Sequence, residues 1–161
     1  MNRHLLVLFT MILLLQGLSS AAQLKGFSIG PYLEFANPRG DFAATNRNGL
    51  GAGLSADIKL PGKLSATGSF GYLRFSRASG NGEASAVSAF PVRAGLKYRL
   101  PIVYLKLESG AARYSKDAGS ALILSPGIGI RVLGLDVQGN FETWLGDEGR
   151  SFLALKLAYH F

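Results

Sequence analysis

Hydrophobic side chains recur at every second position through most of this chain. The pattern is cleanest over residues 151–161, where Leu153, Leu155, Leu157, Tyr159 and Phe161 form one row and Phe152, Ala154, Lys156, Ala158 and His160 the other. A period of two sends alternate side chains to opposite faces of a β-strand. Seven more stretches repeat the pattern, so the chain is expected to be all-β with eight strands.

The first strand is predicted over 26–36, with Phe27, Ile29, Leu33 and Phe35 opposed to Ser28, Gly30, Tyr32 and Glu34. Asn37-Pro-Arg-Gly-Asp41 is turn chemistry, and a loop is expected to run to about Asn48. The second strand, 49–60, sets Leu50, Leu54 and Ile58 against Gly51, Gly53, Asp57 and Lys59. The third, 63–75, aligns Leu64, Ala66, Gly68, Phe70 and Tyr72; Leu73 and Phe75 break the phase, so a bulge or strand end is expected there. The fourth, 86–100, puts Phe90, Val92, Leu96 and Tyr98 against Arg93, Lys97 and Arg99. The fifth, 102–114, opposes Leu105 and Leu107 to Lys106 and Glu108. The sixth, 121–133, opposes Leu124, Ile128 and Ile130 to Gly127, Gly129 and Arg131. The seventh, 135–144, opposes Val137 and Phe141 to Asp136, Gln138, Asn140 and Glu142.

Connections after the even strands are short, and those after the odd strands are longer and polar. With both chain ends on the short-turn side, this predicts an antiparallel up-and-down barrel. The apolar row then decides the setting. It is aliphatic at mid-strand and aromatic at both ends. Phe27, Tyr98, Tyr159 and Phe161 fall at one rim; Phe35, Phe70, Tyr72, Phe90 and Phe141 fall at the other. Aromatic rings prefer the two interfaces of a bilayer, so a transmembrane barrel with the apolar row facing lipid is expected. A soluble barrel of lipocalin type is the less favoured alternative, and it needs the same row to turn inward.

Composition narrows the picture. The chain has 161 residues, 21 glycines, no cysteine and a formal charge of +7. Disulfides and thiolate metal sites are excluded. The basic residues do not run in blocks, so nucleic acid is not the expected partner; acidic lipid head groups are. Asn2-Arg3-His4, the apolar run Leu5 to Leu15 and the small residues Ser20-Ala21-Ala22 have the layout of a secretory signal. The run is too short for a membrane helix, which needs roughly 20 residues. Residues 1–22 are therefore expected to be a cleaved signal and 23–161 the barrel domain.

With these features the chain resembles the small eight-stranded outer-membrane β-barrel proteins of Gram-negative bacteria, the OmpA/OmpX-like size class. The residues that carry the resemblance are Phe90-Pro-Val-Arg-Ala-Gly-Leu-Lys-Tyr98, Pro126-Gly-Ile-Gly-Ile130 and Leu153 to Phe161. The resemblance implies outer-membrane localisation. It also implies that Leu153, Leu155, Leu157, Tyr159 and Phe161 form the signal read by the barrel-insertion machinery.

The inward row is rich in charge. Glu34, Asp57, Arg93, Lys97, Lys106, Glu108, Arg131 and Glu142, with Lys59, Arg99, Asp136 and Lys156, should pair inside a lumen just wide enough for side chains. Glu108 is expected to pair with Arg93 or Lys97 on the neighbouring strand. The inward glycines are expected to make room for the long basic side chains. His4 leaves with the signal, and His160 sits at the short-turn rim, so no catalytic, cofactor or metal site is expected. The loops carry Arg39, Arg47, Arg77, Arg113, Lys116 and Arg150 against Asp41, Glu83, Asp117, Asp147 and Glu148. The expected role is non-enzymatic: membrane structure, or surface binding through the loops, with lipopolysaccharide as a candidate ligand. A narrow ion or small-solute channel is the alternative. The oligomeric state is open, with a monomer fitting the pattern.

Overall fold

The computed structural model describes residues 26–78, 86–115, 119–146 and 149–161. The expected signal segment lies outside them, as do Glu83, Lys116, Asp117, Asp147 and Glu148. Each alternating stretch becomes a strand: β1 (Phe27–Arg39), β2 (Asn46–Lys59), β3 (Leu64–Arg77), β4 (Val87–Arg99), β5 (Val103–Tyr114), β6 (Ser120–Val132), β7 (Leu135–Leu145) and β8 (Arg150–Tyr159). Each pairs with its neighbour in antiparallel register, and β1 pairs with β8, so the sheet is a closed eight-stranded barrel. Closure leaves no strand edge with unpaired backbone groups.

Local chemistry sets the tight turns. Between β6 and β7, Leu133 and Gly134 both have positive φ, 50° and 86°. That is the requirement of the two-residue type I′ hairpin turn, whose twist matches the strands it joins. Between β2 and β3, Pro61 precedes Gly62 at φ 75°. Pro101 lies in the turn between β4 and β5.

Two expectations for the opposite end change. The loop expected over 37–48 is mostly regular: β1 continues to Arg39, a short helix α1 (Asp41–Thr45) follows, and β2 begins at Asn46. The register shift lies between Asn46 and Gly49, not at Leu73. Leu73 and Phe75 keep the phase of β3 and face inward with Ser65, Thr67 and Ser69. The apparent slip was a change in the chemistry of the inner face, from polar to apolar, at constant backbone register.

The barrel is inside-out relative to a soluble domain. Leu33, Leu50, Val92, Leu107, Ile128, Leu153, Leu155 and Leu157 are exposed on its outer wall. Arg93, Glu108 and Glu142 are buried in its lumen. The lipocalin-type alternative required the opposite, and the outward-facing apolar row overturns it. An apolar surface this continuous is far larger than a water-soluble monomer exposes.

The inward glycines let adjacent backbone and tyrosine rings approach closely: a Cβ on Gly51, Gly53, Gly95 or Gly110 would land on the backbone of the neighbouring strand. A Cβ on Gly129 would land on the Tyr104 hydroxyl, and one on Gly71 would land on the Tyr32 hydroxyl. The expected clearance for Arg and Lys is therefore corrected: the space is taken by neighbouring backbone and, at Gly71 and Gly129, by tyrosine rings.

Candidate functional site

The lumen is built in three levels, marked along β4 by Ala89, Arg93 and Lys97 from the long-loop end to the short-turn end. At the long-loop end the inner faces of β3, β7 and β8 contribute Phe75, Trp144 and Phe152, all fully buried. Phe42 enters from α1 above them. Ring centroids lie 4.8 Å apart for Phe42–Phe75, 5.1 Å for Phe75–Phe152 and 5.4 Å for Trp144–Phe152, each edge to face. That geometry sets the positive edge of one ring against the negative face of the next. The Arg150 guanidinium stacks over the Tyr114 and Phe42 rings and covers the cluster. The inward charges predict a polar, packed lumen, and this apolar plug at its long-loop end is the departure from it. Its sequence signal was available in Leu73, Phe75, Trp144 and Phe152, all inward by parity.

Below the plug, Arg93 spans the barrel. Its Nε and Nη2 donate to the two oxygens of Glu142 at 2.9 and 2.8 Å, and Nη2 reaches Glu34 at 3.3 Å. The fork-on-fork contact with Glu142 is the strongest form of this pair. Trp144 Nε1 also donates to Glu142, at 2.6 Å, which ties the ionic level to the plug. Lys156 lies 3.8 Å from Glu34. Glu108 pairs with Lys106 at 3.1 Å and accepts from Thr67 at 2.9 Å. The expected pairing of Glu108 with Arg93 or Lys97 does not form. Across the ladder Glu108 faces Gly95, and both cations point to carboxylates on the far wall, where β1, β2 and β7 supply acids.

The lowest level joins Lys97 to Asp57 at 2.8 Å and to Asp136 at 3.5 Å. Arg131 pairs with Asp57 at 2.6 Å and, more closely, with Asp136. The Tyr104 hydroxyl donates to Asp136. Among the described residues that form ion pairs inside the lumen, five acids (Glu34, Asp57, Glu108, Asp136, Glu142) meet five bases (Arg93, Lys97, Lys106, Arg131, Lys156). Desolvated charge is balanced at the point where imbalance would cost most.

His160 follows β8 and is buried at this end. Its Nε2 lies 3.1 Å from Ser55 Oγ, and its Nδ1 meets no partner. Burial, with the Arg131 charge beside it, lowers its pKa to about 4, so the ring is neutral at neutral pH. A hydroxyl beside an imidazole raises the question of a nucleophile. No carboxylate engages Nδ1 to orient the ring, and the space beside Ser55 is about 20 Å³, which admits one water and no acyl substrate. Asp57, Asp136 and His160 could also be read as metal ligands, since their donor atoms lie within 4.8 Å of one another. Both carboxylates already hold Lys97 and Arg131, so a metal cation would have to displace two fixed positive charges.

At the long-loop rim Arg39, Arg47, Arg74, Arg77 and Arg113 are exposed. Asp41 is the exposed acid at that end among the described residues. Arg74 and Arg113 point out of the wall. Arg74 sits opposite Ser88, and Arg113 opposite Phe90. Tyr72 donates to Ser88 at 3.0 Å and packs on Phe90 with centroids 5.2 Å apart.

The outer wall, girdles and charged lumen invite comparison with solved barrels. The outer-membrane protein Ail of Yersinia pestis in a phospholipid nanodisc superposes with a TM-score of 0.60 at 18% identity, covering 84% of this chain and 99% of that one. The N-terminal β-barrel domain of Pseudomonas aeruginosa OprF gives 0.57 at 12% identity, over 83% and 97%. The chain has the fold of the small eight-stranded outer-membrane barrels. Ail crystallised with the heparin analogue sucrose octasulfate gives a TM-score of 0.53 at 20% identity, over 84% and 97%. No protein-family model matches the chain, and no curated protein matches it.

Proposed function

We propose that this protein spans the outer membrane of a Gram-negative cell and acts there without enzymatic chemistry, by binding anionic glycolipid at its long-loop rim. The observation that carries the reading is an outward pair: Arg113, which faces Phe90 in the girdle, and Arg74, two residues beyond Tyr72 toward the loops. Girdle aromatics mark head-group depth, and guanidinium groups at that depth meet lipopolysaccharide phosphates with fork geometry. The complex of Ail with a sulfated heparin analogue is in keeping with polyanion binding at such a barrel.

The test is binding of the purified barrel to phosphatidylcholine vesicles with and without lipopolysaccharide. Each basic residue near an anionic surface contributes about 1 kcal/mol, so R74Q/R113Q should weaken the lipopolysaccharide-dependent part roughly 30-fold. Equal binding of variant and native protein refutes the reading. The channel alternative meets two obstacles in series, the aromatic plug and the paired charges, and both support a closed barrel. The outward row Leu153, Leu155, Leu157, Tyr159 and Phe161 serves, in this proposal, as the signal for the insertion machinery. Y159S/F161S should then slow assembly in cells while refolding into vesicles stays normal.

A further inference from the structure

The short-turn mouth of the lumen opens into a pocket of about 370 Å³. Its inner end is closed by Asp57, Lys97, Arg131 and Tyr104. The balance of lumen charges stops there. Lys59 and Arg99 both line the pocket. Neither makes an ion pair among the described residues, whereas the lumen cations Arg93, Lys97, Lys106, Arg131 and Lys156 each have a carboxylate within 4.0 Å. Both have the inward parity of β2 and β4, so their chains are directed toward the mouth rather than the outer wall.

We propose that this pocket is a binding site for a phosphate group of a small phosphate ester or polyphosphate. Two side-chain charges without an ion pair among the described residues face a half-enclosed space lined by four cations and one acidic side chain, Asp57, and this raises the local concentration of anions. The donor set suits a tetrahedral oxyanion. Arg99 supplies a planar fork and Lys59 a mobile point charge. Ser28 adds a hydroxyl, held by Arg131 Nη1 at 3.4 Å. His160 adds a neutral ring with an unengaged nitrogen. A monocarboxylate would match only one of the two unpaired cations, Lys59 and Arg99, while Asp57 is already held by Lys97 and Arg131. A phosphate monoester or pyrophosphate brings two or more. The site stands apart from the rim arginines and does not rest on the glycolipid reading.

The probe is inorganic pyrophosphate, titrated calorimetrically at low salt into the full chain in phosphatidylcholine nanodiscs. The expected result is saturable one-to-one binding. K59Q and R99Q should each weaken it about tenfold, as loss of a charge-assisted contact does. K63Q, which removes an equal charge from the exposed turn outside the pocket, should leave it intact. Lys59 and Arg99 stand at the strand ends with water access, so the variants should keep native strand content by circular dichroism. Exchanging part of the phosphatidylcholine for phosphatidylglycerol separates the sources. Competition with pyrophosphate identifies a lipid head group, and its absence a soluble ester; both support the phosphate site. Absence of saturable binding overturns the proposal, and so does binding that K63Q weakens as much as K59Q and R99Q.

Discussion

Arg93 is the residue on which the lumen turns. It is fully buried, and it holds Glu142 by two hydrogen bonds and Glu34 by a longer one. Removing one partner of a buried pair leaves an uncompensated charge and costs about 3–5 kcal/mol. R93A should lose stability of that order in urea unfolding from lipid vesicles. A double-mutant cycle of Arg93 with Glu142 should show strong coupling, while the cycle of Arg93 with Glu108 should show none. His160 gives a second prediction at this scale. Its pKa falls from an ordinary 6.5 to about 4 in the folded chain. Between those values the unfolded chain takes up the proton and the folded chain does not. Stability from this group is therefore present above the unfolded pKa, is lost as pH falls from about 6.5 to about 4, and levels off below. H160Q should flatten that part of the urea-midpoint profile. An unchanged slope would mean the ring is already charged when folded.

At the scale of elements, neighbouring strands constrain each other through the glycines. Tyr104 of β5 lies against Gly129 of β6, its partner in the ladder. G129A should cost about 1–3 kcal/mol as overpacking, because Val137 backbone as well as the tyrosine meets the new methyl. Y104L in the same chain should recover part of that loss, and no recovery would place the clash wholly on backbone. The helix α1 is too short to be stable alone. It is held by Phe42 in the aromatic cluster and by the backbone bond from Ala43 N to Gly40 O at 3.0 Å. This element was not legible in the sequence, where Asn37-Pro-Arg-Gly-Asp41 reads as turn chemistry. Strand pairing with β8 extends β1 through Pro38 to Arg39, and tertiary hydrogen bonds of that kind leave no mark on local pattern.

At the scale of the whole molecule, the aromatic plug and the ionic levels lie in series along the lumen. F75A/F152A should therefore lower stability, by about 3–5 kcal/mol for each large core truncation. It should still give no single-channel current in planar bilayers, because Arg93, Glu34 and Glu142 remain in the path. Currents from that variant would show that the ionic level does not seal.

Most of the barrel was determined by the sequence itself. Side chains alternate with period two whatever the strand packs against, so eight alternating stretches define eight strands, their inward and outward faces and the two aromatic girdles. The turn residues at Pro61-Gly62 and Leu133-Gly134 act locally, so they too were legible. Tertiary structure alone decided which charges meet. Inward residues on strands far apart in sequence converge across the lumen, as Arg93 does on Glu34 and Glu142. Distance across a closed barrel depends on register and shear around the whole ring, which no single strand records. For the same reason only the folded ring showed Leu73, Phe75, Trp144 and Phe152 to be one plug, and Lys59 and Arg99 to be two unmatched charges in one mouth.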